Sequence, residues 1–161
     1  MNDSNDMGEI PLVVRGPYWQ ALQVGQKFRT HRRTLTETDL VTFISCTGML
    51  ESIFIDNTSE GPMGGRPVPA TLTLGLIEGF LLQSVIQGVG LAMLDLHVSP
   101  IAPVRVGDTI SAVMEVTGLR PTSKNNRAIV TAMVTVTNQN GEIVLTYEVT
   151  RMQAGDPALA A

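Results

Sequence analysis

Residues 68–94 read VPATLTLGLIEGFLLQSVIQGVGLAML, and Glu78 is the only charged side chain among them. A helix apolar on nearly every side either spans a membrane or sits at the buried centre of a domain. Glu78, Gln83 and Gln87, the lack of flanking basic anchors and the sheet-like pattern that follows all disfavour a span. The stretch therefore predicts a buried central helix over Ala70–Gln87. Pro69 and Thr71 open it and Gly88-Val89-Gly90 breaks it. Gly75 and Gly79 give it one bare face, and each costs about 1 kcal/mol of helix propensity against Ala. Packing, not propensity, has to hold this helix.

Downstream the period changes to that of strands. Leu91–Ser99 reads as a strand interrupted by Pro100 and Pro103, and Gly107-Asp108 turns the chain into a strand over Thr109–Leu119. In Arg127–Thr137 one face carries Val130, Ala132, Val134 and Val136, and Asn140-Gly141 is a hairpin turn into Glu142–Arg151. Short connections make these last three strands an antiparallel meander. Upstream, Gln26–Thr36 is strand-like. Thr36 and Asp39 form an acidic variant of the capping box ahead of a helix over Glu37–Cys46. The long, Gly- and Pro-rich connection Thr47–Pro69 is of the kind that carries function. One apolar helix and one long antiparallel sheet give an α+β domain whose curved sheet wraps the helix. The remaining apolar stripe and the free sheet edge predict a homodimer or a higher oligomer of dimers.

The chain has 161 residues, enough for one domain with its own core. Its net charge of −4 excludes a general nucleic-acid binder, which needs a basic stripe to neutralise phosphates. The single cysteine, Cys46, cannot form an internal disulfide, and its apolar run predicts a small buried side chain. With only two distant histidines no metal site is readable. The polar start with Asp3, Asp6 and Glu9 is not a signal peptide, so a cytoplasmic location without membrane attachment is expected. The organisation expected is an N-terminal arm over residues 1–16, one domain over 17–152 and a loose tail over 153–161.

Four segments in order, Tyr18-Trp19 with Val24-Gly25-Gln26, Thr34–Phe43, Pro103–Thr109 and Asn138–Glu142, resemble the MaoC-like dehydratase family, which includes the (R)-specific enoyl-CoA hydratases. The resemblance covers roughly Tyr18 to Arg151. It implies a hotdog fold, an acyl-CoA as substrate or ligand, and no separate cofactor. Catalytic members carry a G-D-x-N-P-x-H motif after the first helix. The matching stretch here is Gly48-Met49-Leu50-Glu51-Ser52-Ile53-Phe54, with Met49 in place of the Asp and Phe54 in place of the His. Neither can move a proton. The resemblance also implies that the backbone of Ala70 and Thr71, at the helix start, contacts a thioester oxygen.

Several side chains then compete for a role. Glu51 is the titratable group of the altered motif, either a relocated acid or base or a solvated loop carboxylate. Glu78 lies mid-helix and must be paired, hydrogen-bonded or protonated if buried; it is either a catalytic or pocket carboxylate or, the favoured reading, a structural hydrogen-bond partner at the subunit interface. Asp95 and His97 share a strand face and form a candidate acid–base pair or a solvent-facing one. His31, in the basic run His31-Arg32-Arg33, reads as solvated. Arg120, Lys124 and Arg127 surround a hairpin and either hold CoA phosphates or form a charged tip. Three functions follow: a hydratase or dehydratase homologue acting on or binding an acyl thioester, a non-catalytic thioester-binding or structural subunit, and a thioesterase using Glu51 or Glu78.

Overall fold

The computed structural model describes residues 12–58, 61 and 63–159. Three helices, α1 (Glu37–Thr47), α2 (Ser52–Ile55) and α3 (Ala70–Leu82), accompany six strands. The strands are β1 (Lys27–Arg29), β2 (Arg33–Thr34), β3 (Gly90–Pro100), β4 (Thr109–Pro121), β5 (Arg127–Thr137) and β6 (Ile143–Ala154). The sheet is antiparallel with order β1-β4-β5-β6-β3, and β2 also pairs with β4. Register shifts at Gly90/Ala92, Met93/Asp95 and Val116/Gly118 bend the long strands, as bulges do.

Strand parity builds the core. Ile110, Ala112, Met114 and Val116 of β4, Val130 to Val136 of β5 at alternate positions, and Leu145, Tyr147 and Val149 of β6 face inward. Leu72, Ile77 and Leu81 of α3 join them in one hydrophobic cluster. Burying each such side chain contributes about 1.5–3 kcal/mol, which outweighs the glycine penalty in α3.

The central helix ends at Leu82, five residues short of the sequence expectation. The Ser84 hydroxyl donates to Phe80 O (2.6 Å), and the N–H groups of Ser84 and Ile86 both turn back to Leu81 O. That competition for carbonyls unwinds the chain into turns up to Gly90. A side chain at Gly90 would meet the Ile86 methyl at 2.3 Å, so the tight exit requires glycine.

Three other expectations change. Gln26–Thr36 is two short strands rather than one, because its pairing with β4 breaks between Arg29 and Arg33. Cys46 is exposed, since α1 turns Leu40 and Ile44 to the core and leaves Cys46 outside with its thiol donating to Phe43 O. The domain also extends past both expected boundaries. Gly16 is buried and donates to Gln87 O (2.8 Å), while β6 continues through Ala154 with Gln153 buried and bonded to Pro17 O. Each end thus anchors the other. Residues 1–11 of the expected arm and 160–161 of the tail lie outside the described residues.

The capping box forms as expected. Thr36 Oγ1 accepts from Asp39 N–H (3.2 Å) and Asp39 Oδ2 accepts from Thr36 N–H (2.9 Å). The Thr36 backbone bond, helped by Arg33, holds the Asp39 carboxyl below its usual pKa. Thr36→Ala should cost about 1 kcal/mol in urea unfolding. Because Asp39 titrates lower folded than unfolded, its contribution is complete above about pH 4 and is lost as pH falls through the folded value. Acid unfolding of Asp39→Asn should lack that part of the acid dependence.

Candidate functional site

Pro67, Val68 and Pro69 are buried, and the two proline rings keep this segment extended. Val68 N–H donates to Val104 O (2.7 Å), which ties the segment to the connection after β3. Pro69 is the N-cap of α3 and has no side chain to offer a cap. The first N–H groups to find a helical acceptor are those of Leu72 (2.9 Å) and Thr73 (3.3 Å), both on Pro69 O. Those of Ala70 and Thr71 precede them and point out of the helix start.

A cavity of about 460 Å³ opens at this helix start. Ala70 and Thr73 of α3, Ile53 and Phe54 of α2, the Pro100–Val104 connection, and Val144 and Leu145 of β6 form its walls. Its size is that of a small-molecule site. Met63, from the long connection, also lines it, and Arg105 holds that loop by donating to Met63 O and Gly64 O. Arg66 clamps the same loop to Glu37 of α1 (2.5 Å). Ile53, Phe54, Met63 and Pro67–Pro69 of the connection singled out by its composition thus contribute to the cavity wall.

Among the described residues, no ionisable side chain lines this cavity. Phe54 is on its wall and Met49 lies beside its mouth, the Met49 sulfur 4.0 Å from Thr71 Oγ1. Glu51 is the exposed residue preceding α2, where its carboxylate accepts from Ser52 Oγ (3.3 Å). Ile53 and Phe54, not Glu51, face the cavity.

Glu78 is engaged elsewhere. Its carboxylate accepts from Tyr147 Oη (2.6 Å) and is ion-paired with Arg151, both from β6. Burial pushes the Tyr147 hydroxyl pKa strongly upward, and the adjacent Glu78 charge adds to this, so Tyr147 stays a proton donor. The partners were readable: Tyr147 and Arg151 share the strand parity of Leu145 and Val149. Asp95 and His97 do meet, with Nε2 to Oδ2 at 3.1 Å, but on the free edge strand β3 at 57% and 75% exposure. His31 is exposed and sits edge-on to Phe80. Arg120, Lys124 and Arg127 are exposed around the β4–β5 hairpin. That hairpin is at the far end of the sheet from the cavity, because Arg127 pairs with Ala154 while the cavity residues Val144 and Leu145 begin β6. Thr73 was overlooked. Its only signal was a hydroxyl in a largely apolar run.

Among the described residues no group of His, Cys, Asp and Glu converges to hold a metal ion, and no helix is long and apolar enough to cross a membrane.

Removing one partner of a buried ion pair leaves the other charge uncompensated. Arg151 and Glu78 are only 7% and 12% exposed, so Glu78→Ala should lose about 3 kcal/mol or more in urea unfolding.

Comparison with known proteins fits this geometry. The monoamine oxidase regulatory protein of Archaeoglobus fulgidus is 28% identical, with a TM-score of 0.81 over 91% of this chain and 100% of that one. The (R)-hydratase of A. caviae involved in PHA biosynthesis is 26% identical, with a TM-score of 0.70 over 84% of this chain and 98% of that one. A double-hotdog protein of Mycobacterium tuberculosis, RV0216, is 22% identical and shares the fold with a TM-score of 0.76 over 91% of this chain and 46% of that one. No curated protein matches the sequence. The family model of the MaoC like domain matches residues 20–140, three-quarters of the chain, and with the hotdog architecture already described it establishes that this protein belongs to the MaoC-like dehydratase and hydratase family.

Proposed function

We propose that this chain binds an acyl-CoA thioester, its acyl group in the cavity and its thioester oxygen at the Ala70 and Thr71 N–H groups. The cavity itself carries the proposal: an apolar chamber with unspent backbone donors at its mouth and, among the described residues, no ionisable group on its wall. Such donors polarise a carbonyl without moving a proton. Hydration of an enoyl thioester also needs a group that takes a proton from water. Met49 and Phe54 supply none, so the chain is a thioester binder in which the family's usual hydration is absent or slow.

A second reading keeps catalysis and rests on Glu51, the carboxylate adjoining the α2 residues that line the cavity. It would activate water either for addition to an enoyl group or for hydrolysis of the thioester. A panel of acyl-CoAs separates the readings. Hydration leaves CoA on the product, hydrolysis releases free thiol, and a binder does neither. Binding without turnover is the expected result. Turnover that Glu51→Gln abolishes, with affinity kept, would establish the second reading instead.

The free edge of β3 supports a two-fold homodimer. It exposes Leu91, Met93, Leu94 and Val98, an apolar edge that a second copy would cover. Two-fold pairing of β3 with its copy is antiparallel. It would bring the copy's β4–β5 hairpin, with Arg120, Lys124 and Arg127, to the end of the sheet that holds this cavity. In that arrangement the three cations serve CoA phosphates across the interface. Light scattering should read a dimer, and replacing all three with Ala should weaken CoA-ester binding by roughly tenfold or more in calorimetry.

A further inference from the structure

β3 pairs with β6 along one side, and among the described residues no strand pairs with its other side. One bond at its end gives the direction of its backbone groups. Ile101 N–H donates to Val144 O (2.9 Å), and Pro100 lies opposite Leu145. Bonded and non-bonded positions alternate along an antiparallel pair. Ser99, His97 and Asp95 therefore direct their N–H and C=O groups to β6, while Leu96 and Val98 turn theirs to the free edge. Side chains alternate as well. Leu96 and Val98 lie opposite the buried Val149 and Tyr147 and share their inward face, so Asp95 and His97 stand on the outer face. There His97 Nε2 is 3.1 Å from Asp95 Oδ2, and the exposed Glu148 is the cross-strand neighbour of His97.

A second copy joined to this edge by a two-fold axis runs antiparallel, so its side chains arrive in reverse order. Edge-facing residues must bond to edge-facing residues, which places the axis at a residue and not between two. An axis at Asp95 sets two carboxylates opposite each other, and an axis at His97 sets two imidazoles opposite each other; like charges there are destabilising. An axis at Leu96 sets Asp95 opposite the copy's His97, and His97 opposite the copy's Asp95. The run Asp95-Leu96-His97 is thus complementary to itself in that register alone of the three. Leu96 then exchanges backbone bonds with its copy, and the exposed Leu94 falls opposite the copy's exposed Val98. Asp95 and His97 occupy the non-bonded pairs, where facing Cα atoms come within about 4.5 Å and side chains are closest. We propose that Asp95 and His97 fix the register of a homodimer seam: a second copy pairs along β3 with the axis at Leu96, and two carboxylates and two imidazoles close a ring across it. This rests on the two-fold dimer proposed above. The register also determines where the copy's Arg120, Lys124 and Arg127 stand relative to the cavity.

Sedimentation equilibrium of the full chain at about pH 6, where an ordinary imidazole is mostly protonated, tests the idea with charge exchanges. His97→Asp gives each edge two carboxylates, and Asp95→His gives each edge two imidazoles. Either change turns two attractive cross-strand pairs into repulsive ones, so each variant should self-associate roughly tenfold more weakly than the wild type. An equimolar mixture of the two should recover wild-type association as a heterodimer. The double variant Asp95→His with His97→Asp reverses the order, stays complementary to itself and should dimerise like the wild type. Both positions are exposed, so circular dichroism should read an unchanged fold; Asp95→Lys and His97→Glu take the place of a variant that fails this check. Single exchanges that dimerise like the wild type, or a mixture and a double variant that do not recover, overturn the role of Asp95 and His97 and leave the dimer intact. A wild type that stays monomeric across the concentration range overturns both.

Discussion

α3 buries Leu72, Thr73, Ile77 and Leu81, and its single charge, Glu78, pairs with Arg151 and Tyr147 of β6. Those two facts belong together. A helix this apolar has to be enclosed, and enclosure removes the solvent that would otherwise stabilise Glu78. Taking a carboxylate out of water costs several kcal/mol unless charge and hydrogen bonds replace it. β6 supplies both replacements from one strand face. The sheet therefore has to lie over the helix in one register, because a one-residue slip of β6 would turn Tyr147 and Arg151 outward along with its apolar residues.

The cavity follows from how that enclosure ends. Along most of α3 the inward faces of β4, β5 and β6 fill the space against the helix. At the helix start the wall changes to the proline-rich connection after β3 and to α2. Prolines lack the N–H that would draw these segments into the ladder and keep them extended, so they arch over the helix end rather than packing onto it. The Arg66–Glu37 pair and the Arg105 bonds to Met63 and Gly64 then hold the loop in that position. The result is an apolar chamber with backbone N–H groups at its mouth.

That composition bears on chemistry. Family membership is shared with hydratases, but catalysis belongs to side chains at a site and not to a fold. Among the described residues Glu78 is committed to the core, Asp95 and His97 to an exposed strand edge and Asp39 to a helix cap. The thioester binding proposed above draws on backbone donors and shape.

The sequence alone determined the elements governed by local rules. The capping box at Thr36 and Asp39, the parity of β5 and the turn at Asn140-Gly141 depend on neighbours within a few residues, so they were legible and formed as read. The enclosed helix was legible too, from 68–94, because a run this apolar that does not span a membrane has to be enclosed. Where long-range contact decides, reading failed or stopped short. The helix ended early at a competition for the Leu81 and Phe80 carbonyls; the chain ends were tied together through Gln153 and Pro17; Cys46 faced outward because α1 presents a different side to the core. The same holds for the site. The sequence marked Glu51 as the titratable residue of an altered motif, but only the tertiary structure determined that Ile53, Phe54 and Thr73 line the chamber and that Glu51 does not. A wall built from four separated segments has no signature in any one of them, because what makes it a site is the distance between segments, and that is set by packing.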